Sequence, residues 1–269
     1  MDERMDERDL RCDIVEVGRR LYARGLIGGN EGNISVRRGD MLFVTPAGVC
    51  KGFLTPEMIV RTDLEGRPQG GGRASTEILM HVAVYRRRAD VRAVVHAHPP
   101  TATGFAAAGI ALDRPLIAEA VVTLGAVPII PYGQPSTTEL AQSIGDAICT
   151  AHALLMANHG AITVGDGIYR AWERMETVEQ LARVALVTRI LGQDRLLSGT
   201  AVEGLLAART EAGYPPPACA PGMEAASGLS PGSAAGPSPD GRVTLTRREL
   251  VRLIEDAVER FGGAGRGRA

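Results

Sequence analysis

The chain has 269 residues, 45% of them hydrophobic and 23% charged, with a formal net charge of -1. That composition suits one globular core with a small appendage, and the charge balance argues against nucleic acid or an anionic membrane as a partner. No apolar run approaches a membrane span and the start MDERMDERDL is the opposite of a signal peptide, while four scattered cysteines without a C-x-x-C pair read as reduced thiols of a cytoplasmic protein.

Within residues 9–25, Leu10, Ile14, Val17 and Leu21 recur at helical spacing and Gly25 is a stop. Gly28, Gly29, Asn30, Gly32 and Asn33 then crowd together ahead of two strands joined near Gly39. Such glycines either make turns or let backbone N–H groups approach an anion; alone they favour turns, and their spacing is neither a P-loop nor a dinucleotide fingerprint. Residues 54–63 read as a helical turn running into a strand. Ser75 or Thr76 is placed to cap a helix whose apolar face is Ile78, Leu79, Val82, Val84 and Tyr85. A capped helix start with two hydroxyls suits an anion. Glu77 in its first turn complements the helix dipole on the bland reading. His81, one turn later, is assigned a structural role against a sheet.

Residues 91–100, VRAVVHAHPP, read as a buried strand closed by a proline pair. Residues two apart on a strand face the same side, so His96 and His98 leave it together. A lone histidine there is most often a hydrogen-bonded core residue, but an H-x-H pair at a strand end favours one shared metal ion. An alanine-rich helix follows over 101–109, with strands expected at 117–122 and 127–130. Ser136 or Thr137 caps a helix running through 148. Residues 153–160, ALLMANHG, repeat the earlier pattern: a buried strand ending in His159. His152 is expected to be exposed. A long amphipathic helix spans 167–191.

Past Gly192 the composition turns to Pro, Gly, Ala and Ser, which divides the chain into a domain over 1–200, a linker over 201–241 and a tail over 242–269. In the tail, Thr246 and Glu249 form a capping box, and Leu250, Leu253, Ile254, Ala257, Val258 and Phe261 form one apolar stripe.

Read together, GNISVR at 32–37, TPAG at 45–48, STE at 75–77, HAHP at 96–99 and NHG at 158–160 resemble the class II aldolase and adducin family, nearest in pattern to its bacterial fuculose-phosphate aldolases. The resemblance covers residues 10–191 with the motifs in matching order. It implies a three-layer α/β/α domain around a mixed, largely antiparallel sheet, assembled as a homotetramer. It also implies one divalent metal ion per subunit, Zn2+ in the aldolases, held by His96, His98 and His159 with Glu77 as the displaceable fourth ligand and catalytic base. The substrate phosphate of a small sugar would lie against Gly32, Asn33, Thr45, Gly48, Ser75 and Thr76. The implied reaction is cleavage of a ketose 1-phosphate to dihydroxyacetone phosphate and an aldehyde. A Schiff-base route needs a buried amine, and Lys51, the only lysine, is read as a turn residue beside Gly52.

Two departures bear on aldehyde specificity. Where the fuculose aldolases present a tyrosine from a neighbouring subunit, this chain reads LIAEAVV with Glu119, and an aldehyde-pocket phenylalanine is missing around 134–136. The same scaffold hosts epimerases, methylthioribulose-1-phosphate dehydratases, decarboxylases and non-catalytic adducin heads. The epimerases carry aspartate in place of Glu77, and retention of three histidines with Glu77 counts against an adducin-like interaction module. A dehydratase or decarboxylase stays open. The tail helix on its linker resembles an encapsulation peptide of microcompartment cargo, which implies a shell-protein partner; packing on its own tetramer is the alternative.

Overall fold

The computed structural model describes residues 6–219, so the later part of the linker and the tail helix lie outside the described residues. Helix α1 (Glu7–Ala23) starts at Asp6, whose carboxylate accepts from the Arg8 N–H, and buries Leu10, Ile14, Val17 and Leu21 on one stripe. Strands β1 (Asn33–Arg38), β2 (Met41–Val44) and β3 (Val60–Asp63) follow, with short 3-10 turns at Lys51–Phe53 and Pro56–Met58 before β3. The chain continues through α2 (Ile78–Arg87), β4 (Ala93–Ala97), α3 (Pro100–Ala107), α4 (Ala118–Thr123) and β5 (Ile129–Ile130). Then come α5 (Thr138–Ala147), β6 (Ala153–Met156), β7 (Gly160–Gly165), α6 (Ile168–Leu191) and α7 (Gly199–Arg209).

Among the described residues, seven strands form one sheet in the order β3-β2-β1-β4-β7-β6-β5. Every pairing is antiparallel except β5 with β6. Side chains alternate between the two faces of such a sheet. Ile34, Val36, Phe43, Ala93, Val95 and Ala97 join the core formed with α1, α3, α4 and α6. Leu42, Val44, Val94, Ile162 and Val164 join the core formed with α2 and α5. The result is the expected three-layer α/β/α sandwich. Alternation also sends Asn33 and Ser35 of β1, and His96 of β4, to the α2 side, where the register pairs Asn33 with His96.

The structure corrects several expectations. Residues 117–122 are not a strand: Ala118–Thr123 is helical, because an apolar run this short carries no period that separates buried strand from buried helix. Helix α2 begins at Ile78 with Glu77 in the cap position, one or two residues later than the hydroxyls suggest. The span given to the linker begins with α7, an 11-residue helix capped by Ser198 and packed on α4, which composition averaged over 201–241 conceals. The chain after α7 is docked as well. The Tyr214 hydroxyl donates to Glu173 at 2.8 Å, and the Pro215 carbonyl lies 2.9 Å from His152 Nε2. Cys149 and Cys219 are joined as a disulfide with Cα atoms 5.0 Å apart, a pairing across 70 residues that no local spacing announces. Among the described residues, no helix is long and apolar enough to cross a membrane.

Candidate metal centre

Three strand ends meet beside the start of α2. His96 is the penultimate residue of β4 and is fully buried, while His98 follows the strand and donates its backbone N–H to the Leu26 carbonyl at 3.1 Å. The loop 157–159 joins β6 to β7, with Asn158 at φ 55°, a left-handed conformation that asparagine tolerates. That turn delivers His159, whose N–H bonds the Met156 carbonyl at 3.0 Å. Two glycines let these segments close. A Cβ on Gly160 would stand 2.6 Å from the Ala97 carbonyl oxygen and 2.6 Å from His98 Cδ2. A Cβ on Gly32, itself at φ +67°, would stand 2.7 Å from the His96 carbonyl oxygen. The glycine of GNISVR thus serves close approach to the histidine-bearing strand.

The three imidazoles stand edge to face, with ring centroids 4.8, 4.8 and 5.1 Å apart. One nitrogen of each lies within 4.8 Å of the others, and the Nε2 atoms of His96 and His98 are 3.1 Å apart. Glu77 completes the cluster, Oε1 at 3.2 Å from His159 Nε2 and Oε2 at 3.5 Å from His96 Nε2. His96 donates Nδ1–H to the Ala161 carbonyl at 2.9 Å, so its Nε2 carries the lone pair. His98 has Nδ1 at 3.7 Å from Glu31, whose carboxylate is fixed by the Gly28 N–H at 3.1 Å. Glu31 went unnoticed in sequence; its signal is an acid inside the glycine loop.

Burial pushes His96 down to about 3, against the pull of Glu77, and lowers His98 as well. Burial pushes Glu77 up, but the hydrogen bond from His159, the charges of His96 and His159 and the Asn33 amide overcome it and hold the carboxyl at about 2. The imidazoles of His96 and His98, held neutral by burial, and that of His159, all beside an ionised carboxylate, are the donor set of a divalent cation. Two neutral imidazole nitrogens facing each other at 3.1 Å need a proton or a cation between them. His159 Nδ1 is buried without a hydrogen-bond partner. The residues fit a metal with three nitrogen ligands and one displaceable oxygen.

The residues picked out for phosphate divide. Thr45 is buried, its hydroxyl accepting from the Ile34 N–H and its carbonyl from the Ser75 N–H, both at 3.1 Å. Ser75 Oγ accepts from the Glu77 N–H at 3.3 Å, which places it beside the carboxylate. Gly48 and Thr76 are exposed. The Asn33 amide donates to Glu77 Oε2 at 2.8 Å and its oxygen accepts from His81, so the side chain braces the base. Lys51 is corrected. It is buried, and its ammonium donates to the carbonyls of Asn30 at 2.7 Å and Val49 at 2.8 Å, tying the glycine loop to the loop after β2. His152, expected to be exposed, is buried at the other end of β6.

Residues 12–186 match the model of the class II aldolase and adducin N-terminal domain. The chain belongs to the class II aldolase and adducin family. Among curated members of that family, the 3-oxo-tetronate 4-phosphate decarboxylase of Escherichia coli K12 is 31% identical over 187 residues, covering 67% of this chain and 88% of that protein. The L-fuculose phosphate aldolase of Methanococcus maripaludis is 31% identical over 175 residues, covering 64% and 93%. The crystal structure of YgbL from Klebsiella pneumoniae superposes with a TM-score of 0.71 at 30% identity, over 75% of this chain and 99% of that one. Class II aldolases are metal dependent, and the histidine cluster of this chain is compatible with such a site.

Proposed function

We propose that this protein is a metal-dependent lyase of phosphorylated sugars, cleaving a ketose 1-phosphate of the fuculose type to dihydroxyacetone phosphate and an aldehyde. The observation that carries the proposal is the convergence of His96, His98 and His159 on the Glu77 carboxylate, three imidazoles and an oxygen placed as a divalent ion requires. In this reading the three histidines hold one ion per subunit, Zn2+ by the softness of three imidazole ligands, and Glu77 fills the displaceable position. When bound, the ion supplies Lewis-acid stabilisation of negative charge developing on the substrate's carbonyl and adjacent hydroxyl oxygens. Glu77 takes the C4 hydroxyl proton as the C3–C4 bond breaks. The bonding pair passes towards the phosphorylated three-carbon fragment, the C4 carbon leaves as the aldehyde, and protonation at C3 completes dihydroxyacetone phosphate. Backbone and hydroxyl donors of Gly32, Thr45, Gly48, Ser75 and Thr76 receive the phosphate, with the Lys51 ammonium behind two of these loops. The same reading takes the protein as a cytoplasmic homotetramer and residues 242–269 as a segment that binds a compartment shell.

A second reading is favoured by the E. coli relative, named for decarboxylation of a 3-oxo-tetronate 4-phosphate. Loss of CO2 from such an acid leaves electron density on the same pair of oxygens, so the same ion and the same carboxylate serve. The test is turnover of the zinc-loaded protein on the 1-phosphates of fuculose, rhamnulose, 5-deoxyribulose and methylthioribulose, and on 3-oxo-tetronate 4-phosphate. Both reactions leave dihydroxyacetone phosphate, so the co-product decides: an aldehyde released from a ketose 1-phosphate supports the aldolase, and CO2 released from the tetronate supports the decarboxylase. A protein that retains no metal and turns over none of them overturns both.

A further inference from the structure

Glu77, His81 and Tyr85 are spaced four apart, so they line one stripe of α2 and its cap. Asn33 and Ser35 are two apart on β1 and face that stripe. Four helical residues rise about 6 Å and two strand residues about 6.8 Å, so the two rows stay in step. The polar groups meet accordingly. Asn33 Nδ2 donates to Glu77 Oε2 at 2.8 Å, Asn33 Oδ1 meets His81 Nε2, and His81 Nδ1 meets Ser35 Oγ at 2.6 Å. The Tyr85 hydroxyl lies 2.8 Å from Ser35 Oγ and donates to the Ser35 carbonyl at 3.0 Å. Asn33, Ser35, His81 and Tyr85 are all buried.

The direction of every bond follows from the end that cannot donate. An ionised carboxylate only accepts, so Asn33 presents its NH2 to Glu77 and its oxygen to His81. That oxygen requires a proton on His81 Nε2. With the ring neutral, Nδ1 is then an acceptor and the Ser35 hydroxyl its donor. Burial supports the neutral ring, pushing His81 down to about 4. The chain therefore reads one way, from Ser35 through His81 and Asn33 to Glu77, with the Tyr85 hydroxyl tied beside it to the Ser35 carbonyl.

We propose that Asn33 and His81 are positioning residues that hold the Glu77 carboxylate in one orientation against the metal ligands, and that Ser35 and Tyr85 lock the His81 tautomer on which this depends. The proposal rests on the metal-dependent reading of Glu77 and adds to it a buried scaffold behind the carboxylate. Its consequence is separable from folding. Losing the brace leaves the three histidines in place but lets the carboxylate rotate, so the chemical step suffers while substrate binding does not.

The test uses the five histidines of the full-length protein, labelled with 15N and recorded metal-free and zinc-loaded. The expected result is one ring, assigned by its loss in His81→Gln, that carries its proton on Nε2 alone in both states. Zinc should move the rings of His96, His98 and His159 and leave that one unmoved. A His81 ring protonated on Nδ1 or on both nitrogens near pH 7 overturns the proposal. Failure of zinc to move the other three overturns the metal reading instead, so the two failures are distinct. In kinetics, His81→Ala should lower kcat by about 10- to 100-fold, the usual range for a residue behind a metal ligand. KM should stay within about threefold, with one zinc per subunit retained. In the cobalt-loaded protein the same variant should shift the visible absorption bands, which report the ligand set. An unchanged kcat with an unchanged spectrum overturns the positioning role.

Discussion

Strand β6 has a histidine on each side, buried His152 just before it and half-buried His159 just after it, and the two ends are built on opposite principles. At its start, His152 has both ring nitrogens engaged by the fold: Nε2 donates to the Pro215 carbonyl at 2.9 Å, and Nδ1 faces the Arg88 guanidinium at 3.5 Å. Arg88 in turn donates to the carbonyls of Ile148 and Ala151 and to both oxygens of Asp90. At the far end, His159 has Nε2 turned to Glu77 and to two further imidazoles, and Nδ1 without a partner. The more deeply buried of the two is His152, so burial does not pick out the ligand. What marks the second as a ligand is a nitrogen aimed at a carboxylate and two further imidazoles, an arrangement suited to a shared cation. The first end joins the segment after α7 to the domain; the second holds chemistry.

The largest effects should come from the ligand end. His159→Ala should lose the metal and with it all measurable turnover, whereas His152→Ala should keep both. Glu77→Gln should keep most of the metal and lower kcat by about two to four orders of magnitude, the range expected of a general base. Metal content by mass spectrometry, beside turnover of the same samples, decides this. If His152→Ala loses metal as His159→Ala does, the two ends are not different in kind.

A smaller effect sharpens the chemistry of the ligand end. Ser75→Ala combined with Thr76→Ala should raise KM for a phosphorylated substrate by about tenfold, roughly 1.4 kcal/mol of binding. An unphosphorylated analogue should be affected much less. Equal effects on both would remove the anion site from the start of α2.

How much of this contrast is legible in the sequence depends on the distance over which each arrangement is made. His96 and His98 are readable because a strand's period of two is local, and Glu77 because it stands in a short motif at a helix start. The same holds for Gly160 beside His159. The role of Asn33 is not readable, since it needs the packing of β1 against the stripe of Glu77, His81 and Tyr85, two elements 44 residues apart. His152 looks exposed because its partners, Arg88 and Pro215, lie 64 and 63 residues away. Lys51 looks like a turn residue because its acceptors are backbone carbonyls, which leave no trace in composition. The helix α4 was lost to a short apolar run, and α7 to averaging over a segment of mixed composition.

At the structural end the expected effect is on stability alone. His152→Ala removes the donor to the Pro215 carbonyl, a hydrogen bond worth about 0.5–1.5 kcal/mol net. The denaturant midpoint should fall accordingly with the slope unchanged, and activity per folded molecule should stay at the parent value.

The smallest effect is absent at neutral pH and grows only on acidification. Burial, and after it the charge of Arg174, hold His152 down from 6.5 to about 3 in the folded protein, against the Pro215 hydrogen bond, which acts to raise it. Between those two values the unfolded chain binds a proton on this ring that the folded protein refuses. Unfolding therefore takes up a proton there, and stability falls as pH drops below 6.5, by at most about 1.4 kcal/mol per pH unit from this one group. Above 6.5 the ring is neutral in both states and contributes no slope. Other buried histidines, His81 among them, add to the same acid limb, so the parent curve alone does not isolate His152. His152→Gln keeps an amide donor for Pro215 and an acceptor for Arg88 but cannot take up the proton. Its stability curve should run parallel to the parent's above pH 6.5 and become shallower below it by one proton, so that the two curves converge on acidification. Urea titrations at half-unit steps from pH 7.5 to 4.5 measure the difference. Curves that stay parallel throughout would show that the folded protein already carries His152 protonated among its arginines, and that this end of β6 is held by charge after all.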